Sequence, residues 1–123
     1  MLTLKEIAIK YKSLGIIKSA YFLLDVQSTL DLLSDLTKMG VRVVGCDCWR
    51  YIDPEIKDPT QLLEIVGGGV GVDHPYENPI ELNAQIIKEF LEQSFPKDAQ
   101  LVSLSIDDPK IPNKFSSIFE NIH

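Results

Sequence analysis

The residues best equipped for chemistry in this 123-residue chain crowd into one stretch, Cys46-Asp47-Cys48-Trp49-Arg50-Tyr51, with His74 further along. Two thiols and an imidazole raise two kinds of chemistry, metal ligation and nucleophilic attack. A structural zinc ion takes four ligands, and its paired cysteines usually stand two to four residues apart. Here a single residue separates the thiols and His123 is the only other histidine, so no metal is expected. A thiol nucleophile needs a base within hydrogen-bond reach and a third group to orient that base. Cys46 or Cys48 with His74, oriented by Asp73 or Asp47, supplies those residue types. The competing reading is a pair of plain core thiols, since free cysteine is among the most buried residue types. On a strand both thiols would share one face, and Asp47 and Trp49 the other.

A second candidate is the run Gly67-Gly68-Gly69-Val70-Gly71, because glycine-rich turns can bring backbone N–H groups close to a phosphate. It fits neither the dinucleotide fingerprint, whose last glycine is missing, nor a P-loop, whose Gly-Lys-Ser/Thr ending is absent. A turn or bulge is expected there, and no cofactor. Paired carboxylates for acid–base work can be drawn from Asp107-Asp108, Asp31 and Asp35, or Asp53 and Glu55. All fall in expected turns or on an outer helix face, where solvated charge is the ordinary state. Trp49 and Tyr51 belong to the residue types most enriched at binding hot spots, with a core tryptophan as the alternative.

The chain that must position these groups has the length of one domain and should bury one hydrophobic core, about two thirds of its unfolded surface. Apolar residues make up 45% and charged residues 24%, the usage of an ordinary globular protein. No apolar run is long enough to span a bilayer, and the first residues lack the pattern of a secretory signal. A disulfide between neighbours so close would be strained, so the thiols are expected to be reduced and the protein cytoplasmic. The net charge of −6, with only Arg42 and Arg50 as arginines, argues against nucleic acid or an anionic membrane as partner. An acidic surface favours a basic partner.

The pattern predicts an opening helix from a Thr3-Leu4-Lys5-Glu6 capping box to about Ser13, then a strand over Ile16–Leu24. A helix from Val26 to Met39 follows, with Val26, Leu30, Leu33 and Leu36 as its apolar stripe and Gly40 as its stop. Val41–Ile52 reads as a buried central strand, completing a βαβ pattern, with an antiparallel return as the other arrangement. Thr60–Val66 fits a strand or a short helix. The third helix is signalled by Asn78 as cap, Pro79 in its first position and Glu81 in a second capping box. Leu101–Ile106 alternates as a strand with one thinly covered face, and a short helix is expected around Phe115–Ile122. The sum is an α/β or α+β fold, a small single-layer sheet of three to four strands packed with three to four helices.

One stretch resembles a known family. The Leu30, Leu33, Leu36 helix, the Lys38-Met39-Gly40-Val41 turn and the strand into Gly45-Cys46-Asp47-Cys48-Trp49 are similar to the immunity protein forty family, whose hallmark strand ends Gly-Gly-Asp-Val-Tyr. The Asn78–Gln93 helix after a glycine-rich segment is similarly placed. Gly45 and Asp47 match the hallmark outright, while Cys46, Cys48 and Trp49 replace glycine, valine and tyrosine. The resemblance implies a small bacterial cytosolic protein that neutralises a toxin domain delivered by a neighbouring cell. The expected reading is therefore an inhibitor without turnover, its partner a protein such as a basic nuclease. Asp31, Asp35, Asp47, Trp49 and Tyr51 are the candidate contacts. A small Cys-dependent enzyme using Cys46 or Cys48 with His74, or a non-catalytic adaptor domain, is the alternative.

Overall fold

The computed structural model describes residues 2–65, 68–111 and 114–120. Helix α1, Leu4–Tyr11, opens on the expected capping box: the Glu6 N–H donates to Thr3 Oγ1 at 3.2 Å, and the Thr3 N–H to Glu6 Oε1 at 3.1 Å. One 3-10 turn, Lys12–Leu14, leads into the sheet. The apolar run 16–24 is a hairpin rather than one strand, β1 (Ile16–Lys18) folding back on β2 (Tyr21–Leu24). No glycine or proline marks this reversal. Ser19 makes it by adopting φ of 53°, a left-handed conformation that sequence reading assigns to other residue types.

Helix α2, Val26–Lys38, is capped by Asp25, whose Oδ1 accepts from the Ser28 N–H at 2.7 Å. It stops where Gly40, at φ 75°, lets the Val41 N–H reach back to the Leu36 carbonyl at 2.9 Å. The remaining elements are β3 (Val43–Tyr51), β4 (Leu62–Glu64), β5 (Val70–Gly71), α3 (Ile80–Gln93), β6 (Leu101–Ile106) and α4 (Ser117–Glu120). Ile122, which the sequence placed at the end of the last helix, lies outside the described residues, as does His123. At α3 the caps differ from expectation. Pro79 is the N-cap and makes no side-chain bond; the Asn78 side chain instead donates its N–H groups to the Asp73 carbonyl and to Asn83 Oδ1, and the Asn78 backbone carbonyl accepts from Arg42.

The strands form one curled antiparallel sheet in the order β1-β2-β6-β3-β4, with β5 also paired to β3. The fold is α+β, and six strands replace the expected three to four. The hairpin accounts for one addition; the short β4 and β5, on either side of the glycines, account for the others. Because β2 and β3 are each antiparallel to β6, they run parallel to one another across it. The β2-α2-β3 crossover is present, but with a strand inserted between its two strands.

The helices cover one face. Ile7 and Tyr11 of α1, Leu32 and Leu36 of α2, Ile87 and Leu91 of α3 and Phe119 of α4 close over Phe22, Leu24, Cys46, Val102 and Leu104. A polar staple ties α1 to α2. Tyr11 Oη donates to Asp35 Oδ2 at 2.5 Å, and Lys10 Nζ to the same oxygen at 2.8 Å. Burial pushes the Asp35 carboxyl up, but the bonds from Lys10 and Tyr11 outweigh it and hold the group below its usual value. Its contribution is therefore present at neutral pH and is lost as pH falls through that lowered value. Tyr11→Phe is expected to cost about 1.5–3 kcal/mol at pH 7, the range for a hydrogen bond to a charged group. Urea unfolding at pH 7 of Tyr11→Phe in the parent and in an Asp35→Asn background checks this, and an equal loss in both would remove Asp35 from the account.

Candidate functional site

Pleating sends alternate residues of β3 to opposite faces, and the side away from the helices receives Asp47, Trp49 and Tyr51. Cross-strand register brings their neighbours in. Trp49 stands opposite Leu101 on one side and Glu64 on the other, Asp47 opposite Ser103, and Tyr51 opposite Leu62. Leu23, Trp49, Leu62 and Leu101 form a second, small apolar cluster here, with Ile16 and Tyr51 packed on it. The sheet's curl lets this cluster close without a covering helix. Trp49 is 5% exposed. Its indole N–H donates to Ser103 Oγ at 3.0 Å, and its ring lies 5.0 Å from that of Tyr21. Lys18 places its ammonium 5.9 Å from the Trp49 ring centroid and donates to the Leu62 carbonyl at 2.8 Å.

Beside this cluster lie two carboxyl groups. Asp47 leans toward the β4–β5 edge, where a Cβ on Gly69 would come within 2.6 Å of its Oδ1. A side chain at that position would push the Asp47 carboxylate aside. Glu64, diagonal to Asp47 across the β3–β4 pair, is held above the usual glutamate value, first by burial, then by the charge of Asp47 and the hydrogen bond between them. Among the described residues, no ion pair engages either group. The arrangement is thus a pair of adjacent carboxyls, without an ion pair among the described residues, that reach solvent beside the buried second cluster on the sheet face no helix covers.

The other candidates are dispersed. Cys46 and Cys48 share the opposite face of β3, both buried and unpaired. Burial pushes their thiols up, Cys46 to about 12 with the neighbouring Cys48 adding to it, and Cys48 to about 11 with Asp47 adding to it. His74, at φ 54°, stands in solvent with Glu77 3.6 Å away, and no hydrogen bond joins it to a thiol among the described residues. Asp31 and Asp35 part company. Asp31 is exposed and borders a concavity of about 550 Å³ between α2 and α3, which also carries Lys38 and Lys88 and so has no single sign of charge. Asp35 is half-buried in its staple with Tyr11 and Lys10. Gly67 lies outside the described residues. No helix among the described residues is long and apolar enough to cross a membrane, and no three His, Cys, Asp or Glu gather to hold a metal ion.

Sequence reasoning found Asp47, Trp49 and Tyr51, which the structure places on one face, and missed Glu64, Lys18 and Tyr21. Glu64 sits in a segment whose strand character the sequence left undecided. Lys18 and Tyr21 emerge only once the 16–24 run is split into two strands facing the same way. Comparison with protein-family models, with curated proteins and with solved structures gave no match.

Proposed function

We propose that this chain is a non-catalytic binding protein: a cytosolic inhibitor of the immunity type, which holds a cognate bacterial toxin domain and blocks its active site without cofactor or turnover. The observation that carries the reading is the Asp47–Glu64 pair at the solvent edge of the helix-free sheet face. Two adjacent carboxyls with no cation of their own are a cost to the free protein, and a partner's lysine or arginine entering between them relieves it. Tyr21, 38% exposed, and the half-buried Tyr51 flank the pair with amphipathic rings suited to a protein contact. Trp49 acts from beneath, by fixing the strands. Asp31 offers a second acidic position on another face. The net charge of −6 would speed encounter with a basic toxin domain.

The raised, buried thiols and the solvent-facing His74 give the Cys-dependent alternative little support. The test is co-expression with the product of the adjacent reading frame, scoring growth rescue and co-purification. Rescue with a one-to-one complex is expected. The association rate should fall at least about tenfold between low and high salt, as steering is screened. Asp47→Asn with Glu64→Gln should abolish most of that salt dependence. A salt-independent on-rate, or a double variant that binds like the parent, would remove this face from the interface.

A further inference from the structure

The carboxyl pair also sits at a mechanical weak point. Strand β4 is three residues long and lies on the border of the sheet, and the ladder it shares with β3 covers only Trp49–Tyr51. The Ile52 N–H to Gln61 carbonyl bond (2.8 Å) and the Ile65 N–H to Cys48 carbonyl bond (3.0 Å) continue that pairing, and Lys18 Nζ braces it through the Leu62 carbonyl. On the open face, the side chains that bridge the two strands near this point are Asp47 from β3 and Glu64 from β4. Both are acidic, and both belong to the junction itself.

We infer that a proton on Glu64, donated to the Asp47 carboxylate, clamps β4 onto β3, so that this border of the sheet is tight in mild acid and loosens as the proton leaves. With the proton in place, the Glu64 carboxyl donates to Asp47 and the pair acts as a cross-strand hydrogen bond. Without it, two like charges face each other across the ladder. Diagonal neighbours on one face of an antiparallel pair are within reach of each other, and like charges there weaken the pairing. The groups that face Glu64 leave this repulsion in place. Asp47 supplies it, the Lys18 ammonium on β1 is engaged with the Leu62 carbonyl and the Trp49 ring, and Lys57 of the β3–β4 loop borders a separate hollow beside Tyr51.

Glu64 is raised in the folded protein, so the folded state binds the proton more tightly than the unfolded chain does. The clamp is therefore complete below the ordinary glutamate value of about 4.5 and is lost as pH rises through the raised one. This inference names the regulation of the face assigned above to the partner and rests on that assignment for its purpose. A partner's cation would take the proton's place and reset the clamp at neutral pH.

The experiment is amide hydrogen exchange on the free, full-length protein between about pH 4.5 and 7.5, corrected for the intrinsic pH dependence of exchange, with the Ile65 and Ile52 N–H groups as reporters and central β6 amides as controls. Protection at the reporters should fall about 1.5- to 5-fold relative to the controls as pH rises, the size of an unfavourable cross-strand pair. Glu64→Gln, which keeps a hydrogen-bonding side chain without the charge, should hold the reporters at their acid level throughout. Parallel pH behaviour of reporters and controls, or a pH dependence that survives in Glu64→Gln, would overturn the clamp. Because no partner is present, that result would leave the inhibitor reading to the co-expression experiment.

Discussion

Alkylating reagent added to the folded protein at pH 7 is expected to label Cys46 about a thousandfold, and Cys48 about a hundredfold, more slowly than a solvent-exposed thiol. The thiolate is the reacting species, and moving a thiol from 9.0 to about 12 or about 11 lowers its population at neutral pH by those factors. Occlusion adds to this, because both side chains lie under 3% exposed between the sheet and the helices. Labelling should therefore proceed through opening of the fold and accelerate sharply in denaturant. A cysteine that reacts in the native protein at the rate of a free thiol would reverse the argument. It would restore the enzymatic reading, with His74 as its first suspect.

The second large effect is expected at Trp49. Trp49→Ala should destabilise the fold by about 3–5 kcal/mol, the usual cost of truncating a buried large aromatic. That is a substantial part of the total stability of a domain of this size, about 5–15 kcal/mol. The mechanism is specific: the second cluster loses its central ring, Tyr21 loses its partner, Lys18 loses the face beneath its ammonium, and Ser103 loses its donor. Trp49→Phe separates the parts, keeping a ring in the cluster while giving up the bond to Ser103, for about 1 kcal/mol. Urea unfolding of both variants measures this. A Trp49→Ala midpoint equal to the parent's would show that the cluster does not hold the open face together. If Trp49 serves the interface only through the scaffold, Trp49→Phe should bind the partner as the parent does.

Where local chemistry decided the structure, the sequence was readable. The Thr3–Glu6 capping box, the Val26, Leu30, Leu33 and Leu36 stripe ended by Gly40, and the alternation of Val102 and Leu104 with Ser103 and Ser105 are each legible within a few residues, although Leu32 replaces the half-buried Val26 and Leu30 at the core and Ser103 is buried under Trp49. The reading failed where tertiary context overruled local signals. Ser19 turns the chain without a turn residue because the strands on either side find better pairing as a hairpin. Leu62–Glu64 is a strand only because the edge of β3 is there to receive it. The site inherited these failures. Asp47, Trp49 and Tyr51 could be put on one face by counting residues along β3, but Glu64 needed the β3–β4 register, which no spacing in the chain reveals. Asp35 was misplaced in the opposite sense. Its helical position marked it as exposed, and Tyr11, twenty-four residues earlier, draws it inward.

The position of β6 between β2 and β3 bears on how the protein is made. The last strand among the described residues is the one that joins the two halves of the sheet, so until residues 101–106 have left the ribosome the hairpin β1–β2 and the β3–β4 ladder have no strand between them. The helices α2 and α3 cannot seal over a sheet divided in this way. Folding of this chain accordingly waits on β6 and is governed by distant contacts, the class of topology that folds slowly. Until β6 pairs with them, the apolar faces and unpaired edges of β2 and β3 are open to solvent, which is where association with other chains would begin.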